Sequence, residues 1–175
     1  MTSVFNLGSI CSMTVPSEWQ AMPLERSSQA GQVSQPYTLK EDSDVTFSLY
    51  YRGKEVSRAI AEDFLAVLNA APHDLSADEI ETVIVVLRHM SEEDFFKPDY
   101  VRTVSLGGRT VLTVEGVWTA SDLKNLGVFL CGNESGTIVD ELHYYAPIAK
   151  YDAHMDKARA ILNSIRFDDA KRKGP

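Results

Sequence analysis

YVRTVSLGGRTVLTVEGVW, residues 100–118, is two β-like runs joined by a pair of glycines. That connection is too short for the crossover parallel strands require, so the runs pair as an antiparallel hairpin. The same grammar continues downstream. After the polar TASDLKN come LGVFLCG, the turn GNESG and then TIVDELHYY. Residues 100–145 are therefore predicted to form an antiparallel meander. GNESG does not have the G-x-S-x-G spacing of a nucleophile elbow, and a strand follows it where an elbow needs a helix; it is a hairpin turn.

The period changes on both sides of the meander. Beyond it, Tyr151, Met155, Ala158, Leu162 and Ile165 fall at i, i+4, i+7, i+11 and i+14, with Asp152, Asp156, Lys157 and Arg159 off the stripe. This predicts a C-terminal amphipathic helix lying with its stripe on the sheet. Before it, Ile60, Phe64, Val67, Leu68 and Ala71 mark a helix over residues 55–71. A second helix follows to Met90, opened by Ser76 and Glu79 as a capping box and taking in the β-branched VIVVL. Pro98 in SEEDFFKPDY reads as a break. Further upstream, PYTLKE, the acidic turn EDSD and VTFSLYYR form a hairpin. In its second strand Val45, Phe47, Leu49 and Tyr51 share one face, and Thr46, Ser48 and Tyr50 the other. ERSSQAGQVSQ, residues 25–35, reads as a solvated loop. The first strand, SICSMTV, stops at Pro16, which has no N–H for a ladder, and Trp19 then folds back over the sheet as structural closure.

This order defines an α+β fold. An antiparallel β-sheet has a helical pair inserted between N-terminal strands and a C-terminal meander, and the last helix packs on the sheet. One domain spans residues 1–167, and residues 168–175 form a polar, disordered tail.

Composition narrows the partners. Lys and Arg total 17 against 25 Asp and Glu, a formal net charge of −8. That field repels nucleic acid and anionic lipid and favours a basic protein partner. No apolar run reaches the ~20 residues of a spanning helix. MTSVFNLGSICSMTV has no basic n-region and no long apolar stretch, so no signal peptide is legible and a cytoplasmic chain is expected. Cys11 and Cys131 each sit in an apolar run and read as small buried hydrophobes.

Few residues offer chemistry. In DELHYY, Glu141 and His143 project from one face of a strand and Asp140 from the other. A Glu–His pair binds metal or serves as base and orienter, with His154 the available third ligand; the competing reading is an ordinary polar pair on a sheet. EDSDVT opens like an oxygen-ligand loop with Asp42 and Asp44 but lacks the glycine and distant glutamate of a calcium hand. There is no G-x-G-x-x-G, P-loop, H-E-x-x-H or C-x-x-C. No cofactor is implied. Tyr100, Tyr144 and Tyr145, at element ends, are candidate partner-binding anchors.

Pro16 and Trp19 in VPSEW, Gly107 and Gly108 in LGGRT, and Ser164, Ile165 and Phe167 in SIRF together resemble the PsbP-like α/β/α sandwich. That group includes the extrinsic subunit P of photosystem II, a Ran-binding nuclear-import factor and bacterial adaptor chaperones for type VI secretion effectors. The resemblance covers most of the chain in order of elements, and it implies non-enzymatic binding of another protein. The expected function is a bacterial adaptor, chaperone or immunity-like protein, with homo-oligomerisation left open. The alternatives are a small-molecule or lipid binder, in which the last helix lids a curved sheet, and a metal-dependent enzyme using Glu141 and His143.

Overall fold

The computed structural model describes residues 1–26, 33–87 and 95–167. Its strands run β1 (Thr2–Leu7), β2 (Ile10–Val15), β3 (Trp19–Ala21), β4 (Glu25–Arg26), β5 (Val33–Leu39) and β6 (Thr46–Glu55). Helices α1 (Arg58–Asn69) and α2 (Ala77–Val83) follow. The meander is β7 (Phe96–Leu106), β8 (Arg109–Trp118), β9 (Leu123–Cys131) and β10 (Ile138–Pro147). Helix α3 (Ile148–Asn163) and a short β11 (Arg166–Phe167) close the chain. The main sheet is antiparallel in the order β3-β5-β6-β10-β9-β8-β7, with β4 also on β5, and β1-β2-β11 make a second sheet. The expected α+β order holds, with the helical pair between the early strands and the meander and α3 against the sheet.

The main sheet carries an apolar cluster on each face. On one face α1, α2 and the segment after α2 bring Phe64, Val67, Val83, Val86 and Leu87 against Phe96, Leu112, Val114, Phe129 and Val139. On the other, α3 and the β1–β2 hairpin bring Tyr151, Met155, Ile161, Ile10 and Met13 against Phe47, Leu49, Val128, Leu142 and Tyr144. Strand β10 lies between the two clusters, and every residue from Val139 to Tyr144 is buried. Its odd positions face the helical pair and its even positions face α3, as strand alternation requires.

Local signals explain most elements. Ser57 caps α1 by accepting from the Ile60 N–H at 3.4 Å. The expected Ser76–Glu79 capping box is present at α2. The glycine turn between β7 and β8 has φ +56° at Gly107 and +84° at Gly108. Only glycine tolerates the first site on a second count, because a Cβ there would stand 2.9 Å from the Ile165 carbonyl oxygen. Trp19 is buried, 6.2 Å edge-on from the Phe47 ring, and its backbone N–H donates to the Pro16 carbonyl at 3.1 Å. Ser164 ties the end of α3 to β2, its Oγ accepting from the Thr14 N–H at 2.8 Å. The acidic hairpin tip is bridged within the chain, Lys150 Nζ lying 2.8 Å from Asp42 and 2.9 Å from Asp44. Lys157 pairs with Glu41 beside it.

Several expectations change. SICSMTV is not the first strand: β1 precedes it and pairs with it as a hairpin, and the mostly exposed side chains of β1 carry no alternating apolar signal. Within residues 25–35, β4 and the start of β5 are paired strands, and residues 27–32 lie outside the described ones. Glu55 ends β6, so the first helix starts later than its stripe suggested. Helix α2 stops at Val83, and residues 84–87 continue as turns that bury Val86 and Leu87. The rest of that expected helix, to Met90, is outside the described residues. Pro98 is no break. It sits in β7, at the sheet edge and beside a register shift, where a missing N–H costs little. Cys11 and Cys131 are only half-buried. The expected tail lies outside the described residues.

The two sheets are locked together at one buried carboxylate. Asp140 is 1% exposed, and its Oδ2 accepts from the Ser9 N–H at 2.8 Å and the Ser9 hydroxyl at 2.7 Å. The β1–β2 turn approaches so closely that a Cβ at Gly8, where φ is +59°, would lie 2.5 Å from that oxygen. Gly8→Ala is predicted to cost about 1–3 kcal/mol, from backbone strain and from pushing the turn off Asp140. An unchanged urea midpoint would contradict this docking.

Candidate functional site

Register builds the site. Glu141 on β10 lies opposite Tyr50 on β6 and Phe129 on β9, and His143 lies opposite Ser48 and Gly127. All point to the face that carries α1 and α2, but those helices cover the β7–β9 half of it. Toward β6 and β10 the same face holds a pocket of about 310 Å³ with no residue of α1 or α2 in its lining. Tyr50, Trp118 and Tyr145 wall it, and Glu141, His143 and Asn125 are its buried polar groups.

The geometry is tight. Glu141 is 0% and His143 4% exposed, and His143 Nε2 lies 3.0 Å from Glu141 Oε2, sharing a hydrogen bond. The imidazole is held edge-on between two rings, 5.4 Å from Tyr50 and 5.8 Å from Phe129. Trp118 is braced by Phe96, their ring centres 5.1 Å apart. Asn125 is 2% exposed, and its Nδ2 has no acceptor among the described residues. A buried amide donor of this kind is costly unless something accepts from it. The pocket thus combines aromatic walls, a hydrogen-bonded carboxylate–imidazole pair and an unused donor, which suits holding a ligand group with a carbonyl.

The other residues singled out by sequence are dispersed. His154 is on α3, across the sheet from Glu141 and His143, with its Nδ1 3.9 Å from Glu41. Among the described residues no three of His, Cys, Asp and Glu gather as metal ligands. Tyr144 is corrected from surface anchor to core. It is 1% exposed, its hydroxyl donates to the Tyr151 carbonyl at 2.8 Å, and burial raises its pKa. Tyr100 is half-buried on the opposite face, its hydroxyl bonded to Glu115. Tyr145 alone of the three lines the pocket. No local sequence pattern singles out Asn125 or Trp118 as a site residue. Alternation had placed Tyr50 away from the Phe47 face, but its meeting with Glu141 depends on a β6–β10 register that no local pattern carries.

No family model matches this chain, and no curated protein matches it. Among solved structures it is similar to LpqN, involved in cell envelope biogenesis of Mycobacterium tuberculosis. The TM-score is 0.43 and the identity 15%, over 94% of this chain and 88% of LpqN. A likeness at that level assigns neither family nor activity. Among the described residues no helix is long and apolar enough to cross a membrane.

The pair at the pocket floor makes a quantitative prediction. In a double-mutant cycle of Glu141→Ala and His143→Ala, the coupling energy is expected at about 1–3 kcal/mol. Strictly additive losses in denaturant unfolding would mean that the two side chains do not support one another.

Proposed function

We propose that this chain is a non-enzymatic protein-binding module, a bacterial adaptor, chaperone or immunity-like protein of the PsbP-like kind, working in the cytoplasm. The observation that carries the reading is the aromatic-walled pocket on the half of the sheet face that α1 and α2 leave unlined. Tyr and Trp around a recess are the side chains that anchor partners most strongly, because they bury large area with little entropy loss. A polypeptide partner also supplies carbonyl oxygens, the acceptor that Asn125 Nδ2 requires.

The net charge of −8 adds direction. It steers a basic partner toward the module and raises the rate of encounter more than the final affinity. Docking then places one anchor side chain between Tyr50, Trp118 and Tyr145, with a main-chain carbonyl on Asn125.

The test is co-expression with the products of neighbouring genes, followed by purification of the wild type and of Tyr145→Ala. The wild type should hold one protein at fixed stoichiometry. Tyr145→Ala should weaken that complex by about 2 kcal/mol, or roughly thirtyfold in Kd, with an unchanged melting temperature. Repeated recovery of the wild type alone, or equal retention by the variant, would count against the reading.

A further inference from the structure

A second recess lies on the opposite face of the sheet, between α3 and the outer strands of the meander, with a volume of about 230 Å³. Its floor is apolar, formed by Val104, Val111, Val128, Met155 and Leu162. Two arginines line it, Arg102 from β7 and Arg159 from α3. Arg159 is a rim residue, 62% exposed in its side chain and 3.2 Å from the more exposed Asp156.

Arg102 is the unusual member. In a chain with eight more acidic than basic residues, it meets no carboxylate among the described residues. Its guanidinium carbon stands 3.8 Å over the Tyr100 ring, and its Nε is buried with no acceptor among the described residues. Glu115 also lines the recess, and its carboxylate is already occupied. Glu115 takes the Tyr100 hydroxyl and lies 3.0 Å from Lys124 Nζ, which also holds Asp99 at 2.9 Å. Stacking on the ring and a hydrogen bond to the Tyr100 hydroxyl engage part of the guanidinium; the Nε donor that remains matches a carboxylate oxygen. A floor of aliphatic side chains beside such a donor calls for one anionic head with a hydrocarbon tail.

We propose that this recess binds an aliphatic monocarboxylate, an anionic amphiphile of medium chain length. Its carboxylate accepts from Arg102, with Arg159 adding charge at the rim. Its tail lies along the floor beneath α3, displacing water from Val104, Val128, Met155 and Leu162. The site is on the face away from the Glu141–His143 pocket and does not depend on the protein-binding reading; either stands if the other fails.

Octanoate is the probe, with octylammonium as the charge-reversed control and acetate as the tail-less one. In methyl and arginine NMR spectra of the full chain, octanoate should shift the Met155 methyl, the Leu162 methyls and the Arg102 Nε–H in one saturable curve. Octylammonium and acetate should bind about tenfold more weakly or not at all. Arg102→Met should weaken octanoate by about tenfold or more. Equal binding of octanoate and octylammonium would overturn the proposal. So would undiminished binding by a folded Arg102→Met variant, or shifts confined to Tyr50, Trp118 and Tyr145. Should Arg102→Met fail to fold, the comparison of the two charged probes on the wild type decides alone.

Discussion

Strand β10 buries three ionisable side chains in four consecutive positions, Asp140, Glu141 and His143. Burial of unsatisfied polar groups costs several kcal/mol, so a central strand carrying three of them folds only if each finds its partner. Alternation divides the task between faces. Asp140 receives both donors of Ser9 and so fixes the β1–β2 hairpin over the α3 side. Glu141 and His143 hold one another on the other side and fix the imidazole between Tyr50 and Phe129. The same strand therefore sets the closure of one face and the floor of the pocket on the other.

The two faces are finished differently. The α3 side is sealed across its centre by a continuous apolar cluster, from Leu7 and Ile10 through Phe47 to Ile165, and a recess opens at the outer meander strands. The opposite side is packed by α1 and α2 over β7–β9 and then gives way to buried polar and aromatic side chains. A fold that needed only stability would continue the apolar packing. Placing Asn125 with an idle donor beside a carboxylate–imidazole pair sacrifices some of that stability, which is the pattern expected where a surface is kept for recognition.

Much of the fold was legible in the sequence because its signals are local. The glycines at 107 and 108, the Ser76–Glu79 box, the stripe from Tyr151 to Ile165 and the alternation around Phe47 each report a backbone state within a few residues. What escaped was set by tertiary context. Pro98 is tolerated because its strand is an edge, and β1 is a strand because β2 pairs with it, not because its side chains alternate. The candidate site was half-legible. The same-face relation of Glu141 and His143 follows from strand geometry alone, whereas Tyr50, Asn125 and Trp118 reach them through cross-strand register. His154 and Tyr144 misled for the same reason, since residues near in sequence to the pair lie across the sheet from it or inside the core.

The two tryptophans offer the most direct test, because Trp19 is in the core of one face and Trp118 lines the pocket on the other. A Trp19→Phe variant leaves Trp118 as the sole indole, so its emission reports on the pocket alone. If that pocket is the docking surface, saturation with the co-purified partner shifts Trp118 emission to the blue and protects it from acrylamide quenching. A partner that binds at full stoichiometry while leaving the emission and quenching of Trp118 unchanged would place recognition elsewhere on the molecule.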